Sequence, residues 1–197
     1  MEPGMTQSIA NRKGGDSPQR SLIEVGAYGG VKKSHEKTAI RPGAAFPSVG
    51  TLRSTSGRII DLAEKEREQH VVLFFYPADL EGLRYPEIAG CTPEACMFRD
   101  NVSVLRDLGA TVYGVNLHPS ERQKSFVARE HLNFELLSDF ERTLVDALGV
   151  PTWSTEHGEI FVVRTTVIVR KGGEISEVFD DVDVKGHIDA VVDALRR

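Results

Sequence analysis

The chain has 197 residues, 40% of them hydrophobic and 27% charged, with a net charge of −5. This is the make-up of a globular domain large enough to bury a core without disulfide staples, and the acidic balance argues against a nucleic-acid binder. The longest apolar run, Val71 to Tyr76, is strand-length and far short of the roughly 20 residues of a membrane span.

Residues 1–40 are rich in Gly, Ser, Lys and Arg, and no apolar period is sustained through them. They read as a disordered N-terminal extension, with Ser21–Val25 as a faint strand signal. There is no apolar stretch of the secretory type, and two cysteines without a leader point to a reducing compartment, the cytoplasm. Glu2, Asp16, Glu24 and Glu36 run against the acid-poor pattern of organellar transit peptides, so the extension reads as a plain tail, with organellar targeting left open.

The globular domain is expected over 41–197, starting near Arg41-Pro42-Gly43. Val71–Tyr76 predicts a strand buried on both faces, ended by Pro77. A loop with Gly82, Pro86 and Gly90 follows. Ala95, Phe98, Val102 and Leu105 then recur at helical spacing until Gly109. Thr111–Val115 is a second strand, and Ser120 with Gln123 forms a capping-box signal for a helix to about His131. Phe134–Leu137 is a short strand, and Asp139 caps a helix carrying Leu144, Val145 and Leu148 that ends at Gly149. Phe161–Val169 predicts one long strand, Lys171-Gly172-Gly173 a turn, Glu174–Phe179 its hairpin partner, and 186–196 a final helix. The order β-α-β-α-β-α-β-β-α predicts an α/β fold of the thioredoxin type, a central mixed sheet flanked by helices.

The chemistry gathers in Gly90-Cys91-Thr92-Pro93-Glu94-Ala95-Cys96. Cys91 stands where the loop meets the first turn of a helix, and Pro93 suits that turn because its missing N–H would be unpaired there anyway. Free amides and the positive end of the helix dipole favour a thiolate, the form that attacks. Cys96 lies five residues on, about 140° around the helix and some 8 to 9 Å away, whereas a disulfide wants Cα atoms within about 7 Å. The pair is therefore apart while the helix is intact and can join only if the first turn unwinds. Taken alone, Cys96 is as readily a small buried apolar residue. Two cysteines with no nearby histidine do not supply the four ligands of a zinc site.

Arg164 alternates with apolar neighbours in a β-rich segment, where a charge needs a partner unless it snorkels to water. His118 reads as a loop histidine and Trp153 as a packing residue. His70, His131, His157 and His187 carry no assignment.

The run Val71–Pro77, then Gly90-Cys91-Thr92-Pro93-Glu94-Ala95-Cys96-Met97-Phe98-Arg99-Asp100, resembles the active-site segment of the peroxiredoxins, specifically the peroxiredoxin Q or bacterioferritin comigratory protein group. Leu136–Asp139, Arg164–Val169, Val178–Asp181 and the last helix extend the resemblance over about residues 41–197. It implies a thiol-dependent peroxidase with Cys91 as peroxidatic nucleophile, Cys96 as resolving cysteine and a Cys91–Cys96 disulfide in the oxidised state. It further implies Arg164 as the stabiliser of thiolate and peroxide, and Pro77, Gly90 and Thr92 in the substrate loop. The resemblance also implies a peroxide substrate, a thioredoxin or glutaredoxin-like reductant, a monomer or weak homodimer, and neither metal nor organic cofactor, with no nucleic-acid or membrane partner. One departure stands out: the Pro77-to-Cys91 loop is seven residues longer than the family's, and Ile88 occupies the position of its threonine, leaving Tyr85 or the backbone as substitute donor. A non-peroxidatic thiol–disulfide oxidoreductase and a redox-sensing or holdase module are the alternatives.

Overall fold

A computed structural model describes residues 32–33, 38–78 and 88–197. The Ser21–Val25 signal and the loop residues Gly82, Tyr85 and Pro86 lie outside the described residues. Strands and helices follow as β1 Lys32–Lys33, β2 Thr51–Ser54, β3 Ile59–Asp61, α1 Leu62–Glu68, β4 His70–Phe75, α2 Cys91–Asp107, β5 Ala110–Asn116 and α3 Ser120–Glu130. Then come β6 Glu135–Ser138, α4 Thr143–Leu148, β7 Thr152–Ser154, β8 Ile160–Val162, β9 Thr165–Val169, β10 Ile175–Phe179 and α5 His187–Arg196.

A seven-stranded mixed sheet runs β10-β9-β4-β5-β6-β2-β3, and a smaller sheet runs β1-β7-β8. β4, β5 and β6 are parallel, and β9 lies antiparallel on the other side of β4. The continuous apolar run of β4 has its cause here, because both faces of the sheet are covered. Alternate side chains divide between two cores. Val72, Phe74 and Tyr76 pack with Ala95, Phe98 and Leu105 of α2 and with Val191 and Leu195 of α5. Val71, Leu73 and Phe75 pack on the opposite face with Leu144, Val145 and Leu148 of α4. Phe74 and Phe98 stack with centroids 4.4 Å apart, which fixes α2 across the end of β4 and carries the Cys91 turn with it. Among the described residues no helix is long and apolar enough to cross a membrane.

Three expectations change. The long strand over Phe161–Val169 is broken: β8 belongs to the small sheet, β9 to the large one, and Val163 and Arg164 form the joint. The capping box at Ser120 does not form. Pro119 precedes α3, and Gln123 is fully buried, its amide donating to Asn116 Oδ1 and to the Leu137 carbonyl, each at 2.8 Å. A buried amide takes partners in the core rather than a solvent-side cap. β1, β2, β3, α1 and β7 are additional to the predicted order.

Residues 38–40, just before the expected start near Arg41, are packed against the rest of the chain, which is a further feature outside the predicted elements. Thr38 is fully buried and donates both its N–H (2.9 Å) and its hydroxyl to Asp180 Oδ1. Ala39 and Ile40 donate to the carbonyls of Gly149 and Leu148, both at 3.2 Å. Lys32 and Lys33 pair with Ser154 and Trp153. Gly149 closes α4 at φ 61, and a Cβ placed there would lie 2.4 Å from that of Ala39, so the arm docks where glycine alone leaves room. Asp139 serves α4 as expected, its carboxylate accepting from the amides of Leu144 (3.2 Å) and Val145 (2.8 Å).

Candidate active site

Cys91 is the first residue of α2, directly after Gly90, and only 3% exposed. Arg164 comes to it from the joint between the two sheets. Its Nη2 donates to Cys91 Sγ at 3.4 Å, and its Nη1 pairs with Glu94 Oε2 one helical turn along α2. The Ala78 backbone N–H donates to the same sulfur. The arginine is 7% exposed, so it is a buried cation held at both nitrogens of its fork rather than one reaching for water. Its carbonyl accepts from the Val182 amide at 3.0 Å, which ties the turn after β10 to the site. Gly90 is the residue this closeness requires. A Cβ there would stand 3.0 Å from Arg164 Nη2 and 3.0 Å from Val184 Cγ2, so one of these side chains would have to give way.

Several opposing influences meet at the sulfur. Burial pushes the Cys91 thiol up, and this outweighs the downward pull of the Arg164 charge and of the Ala78 and Arg164 hydrogen bonds; Glu94 adds to the upward push. The sulfur's state thus depends on burial set against these pulls, and not on the helix start alone. Burial also pushes the Glu94 carboxyl up to about 7 against the influence of Arg164. Its Oε1 has no hydrogen-bond partner among the described residues. Burial opposes the charge of Arg164, but Glu94 and Cys91 together hold it above its ordinary range.

A cleft of about 420 Å3 opens at Gly90 and Arg164, the neighbours of Cys91, walled also by Pro77, Trp153 and the turn through Asp181 and Val184, with Cys91 itself behind these walls. Pro77 and Gly90 thus line it, whereas Thr92 is half-buried and is not among its walls within the described residues. Ile88 is 4% exposed and packs into the core with Cys91 and Phe98, so the position of the family's threonine offers apolar surface and no hydroxyl. Trp153 both packs, stacked on Phe161 at 4.7 Å, and walls the cleft. His118 meets the edge of that stack at 6.0 Å.

Cys96 lies on the same unbroken helix, half-buried, with Sγ 3.9 Å from Glu130 Oε2 of α3, and both cysteines are free. The structure brings Cys91 and Arg164 together and leaves Cys96 beside another helix.

Two residues of this neighbourhood went unassigned in the sequence. Glu94 falls on the buried stripe of α2 with Cys91, Ala95 and Phe98, and an acid on an apolar stripe is the signal that could have marked it. His187 is buried at the start of α5, its Nε2 2.9 Å from Thr166 Oγ1 and its ring between Phe98 and Phe179. Burial, and then the Arg164 charge, pushes it down to about 4. Nothing in its sequence neighbours foretells that burial.

Comparison with known proteins agrees with this geometry. Residues 42–178 match the model of the AhpC/TSA family. A putative peroxiredoxin bcp of Coxiella burnetii is 34% identical over 147 residues, 74% of this chain and 92% of the relative. Peroxiredoxin Bcp of Escherichia coli is 32% identical over 148 residues, covering 74% and 90%. The chloroplastic peroxiredoxin Q of Sedum lineare is 31% identical over 186 residues, covering 86% and 93%. Among solved structures, peroxidoxin BcpB of Mycobacterium tuberculosis superposes with a TM-score of 0.68 at 28% identity, over 80% of this chain and 97% of its own. PrxQ of Xylella fastidiosa gives 0.70 at 26% identity, over 80% and 96%. A buried helix-start cysteine under an arginine, set in this sheet and matched over most of these relatives, leaves one conclusion: the chain belongs to the AhpC/TSA family and is a peroxiredoxin of the Bcp and PrxQ group.

Proposed function

We propose that the protein reduces hydrogen peroxide and organic hydroperoxides at Cys91, with Cys96 resolving the oxidised sulfur. The observation that carries this reading is the Arg164 guanidinium 3.4 Å from a free sulfur that is 3% exposed, beside a cleft open to a small oxidant. The Cys91 thiolate attacks one peroxide oxygen, the O–O bond breaks, and charge on the leaving oxygen is stabilised by Arg164 and the first-turn amides of α2. Cys91 becomes a sulfenic acid. The first turn of α2 then unwinds and Cys96 closes a Cys91–Cys96 disulfide. A dithiol of the thioredoxin or glutaredoxin kind restores both thiols by exchange.

Both cysteines on one helix support a cycle completed within a single chain, as monomer or weak homodimer. Bacterial relatives and a cysteine count of two favour the cytoplasm as its place of work. A plain thiol–disulfide exchanger would need its nucleophile open to bulky disulfides, and Cys91 is enclosed. The test is single-turnover kinetics with hydrogen peroxide. Cys91→Ser is expected to abolish peroxide consumption, and Cys96→Ser to complete one oxidation and stall as sulfenic acid. Mass mapping of the oxidised protein without reduction is expected to show the intramolecular disulfide. Normal turnover by Cys91→Ser would overturn the assignment.

A further inference from the structure

The two sulfurs of α2 lie in opposite fields. Cys91 has a guanidinium against it, whereas Cys96 has a carboxylate: its thiol donates to Glu130 Oε2 across 3.9 Å. Glu130 is fixed in place. Its Oε1 is held by Arg129 Nε at 2.7 Å, and its side chain is 17% exposed. Its backbone carbonyl accepts from Arg99 Nη1 at 2.7 Å, and Asn133 Nδ2 donates to the Arg99 carbonyl at 3.1 Å. These bonds clamp the α2 turn after Cys96 onto the end of α3. The start of α2 has no bond of this kind to α3: Gly90 precedes it without a side-chain cap, and its hold is the Arg164 fork on Cys91 and Glu94. The part of the helix that holds Cys96 is thus fixed, and the part that must move is the turn of Cys91.

We propose that Glu130 is a positioning residue for the resolving step, holding Cys96 as a docked, protonated thiol so that peroxide meets one sulfur alone and Cys91 travels to Cys96. The inference rests on the reading of Cys96 as the resolving cysteine. The step balances as follows. Cys96 gives up its proton, its sulfur forms the S–S bond to Cys91, the S–O bond of the sulfenic acid breaks, and the departing hydroxide takes a proton to leave as water.

The groups facing Cys96 are Arg99 and Asp100 of its own helix and Glu130, with its partner Arg129, of α3. Burial pushes the thiol up, Arg99 pulls it down, and Glu130 and Asp100 push it further up. Removing one like charge at hydrogen-bond range, already part-neutralised by two arginines, raises the thiolate fraction near neutral pH by about tenfold. A thiolate of lower basicity is also a weaker nucleophile, by about threefold for that change. The two effects leave the resolving step about threefold faster near pH 7 and, where Cys96 is fully ionised, about threefold slower. The rate profiles of wild type and variant must therefore cross.

The experiment oxidises reduced full-length protein with one equivalent of hydrogen peroxide from pH 5.5 to about 10.5, past the ordinary thiol range, and follows disulfide formation by rapid quench in wild type, Glu130→Gln and Glu130→Asp. Sulfenic acid formation, read separately, is the control for a folded first step. Crossing profiles for Glu130→Gln, with Glu130→Asp between it and wild type, are expected. In a Cys91→Ser background, alkylation of Cys96 by iodoacetamide is expected to shift to lower pH when Glu130 becomes Gln. Profiles that run parallel at every pH, or an unmoved alkylation profile, overturn the proposal. A Cys96→Ser variant that fails to stall as sulfenic acid overturns instead the reading on which it rests.

Discussion

Replacing Glu94 with Gln should change how stability depends on pH, and the direction follows from two buried groups that oppose each other. Glu94 is completely buried and its carboxyl is pushed from 4.5 to about 7. Between those values the folded chain binds a proton that the unfolded chain has lost, so stability falls as pH rises from about 4.5 to about 7. At about 1.4 kcal/mol for each tenfold step, the change amounts to about 3 kcal/mol. His187 runs the other way. It is pushed from 6.5 to about 4, so the unfolded chain takes its proton first and stability falls as pH drops through that range, again by about 3 kcal/mol. In the wild type the two contributions largely cancel between pH 4.5 and 6.5. In Glu94→Gln the first is gone, and the acid loss from His187 stands uncovered. Urea unfolding of reduced protein at steps from pH 4.5 to 7.5 measures this directly. Relative to wild type, the variant is expected to gain about 3 kcal/mol as pH rises across the range. Using the difference removes the contributions of carboxylates common to both, such as Glu135, which is held below its ordinary range. If the two profiles run parallel, Glu94 holds no proton at neutral pH and the account of its burial is wrong.

Arg164→Gln should slow Cys91 oxidation by about 10²–10³, the usual cost of one preorganised donor at a site of developing charge. Arg164→Lys should also be impaired, since one ammonium cannot serve Cys91 and Glu94 as the fork does. Stopped-flow oxidation above the thiolate pKa separates this from a change in ionisation, and full recovery there would remove the arginine from the transition state. Gly149→Ala should destabilise the fold by about 1–3 kcal/mol, because the site combines φ 61 with the Ala39 side chain 2.4 Å from the new Cβ. An unmoved urea midpoint would show that the 38–40 segment does not dock as described.

The centre of the fold was legible because its signals are continuous. β4 is an unbroken apolar run covered on both faces, and α2 repeats its buried residues at three- and four-residue spacing before Gly109. Cys91 was legible from its place at the start of that helix, and Arg164 as a charge without reason among apolar neighbours. The edge was not legible. β2 has four residues with alternate ones exposed, a pattern equally open to a loop. The break at Val163–Arg164 was hidden because β8 and β9 are both β-prone and only the sheet to which each belongs separates them. Gln123 mimicked a cap because its buried partners, Asn116 and Leu137, are seven and fourteen residues away in sequence. The ionisation of Cys91 depends on burial in the core beside Ile88, opposed by Ala78 and Arg164, which no local motif records.

The joint at Val163–Arg164 has a mechanical consequence. The guanidinium hangs from a two-residue connector whose ends are fastened to different plates, the three-stranded sheet through β8 and the seven-stranded sheet through β9. The sulfur it serves rides on α2, whose core cluster takes in Val72 and Phe74 of the larger plate and Trp153 and Phe161 of the smaller one. Sliding of the small plate therefore reaches the arginine directly, through the connector that leaves β8. Their 3.4 Å contact becomes a gauge of the alignment between the plates, and a slip of about 1 Å is enough to cost a preorganised site on the order of a hundredfold in rate. The small plate's outer edge is β1, formed by residues that precede the family-matched segment. Lys32–Lys33 thus edge the plate to which one end of the arginine's connector is fastened.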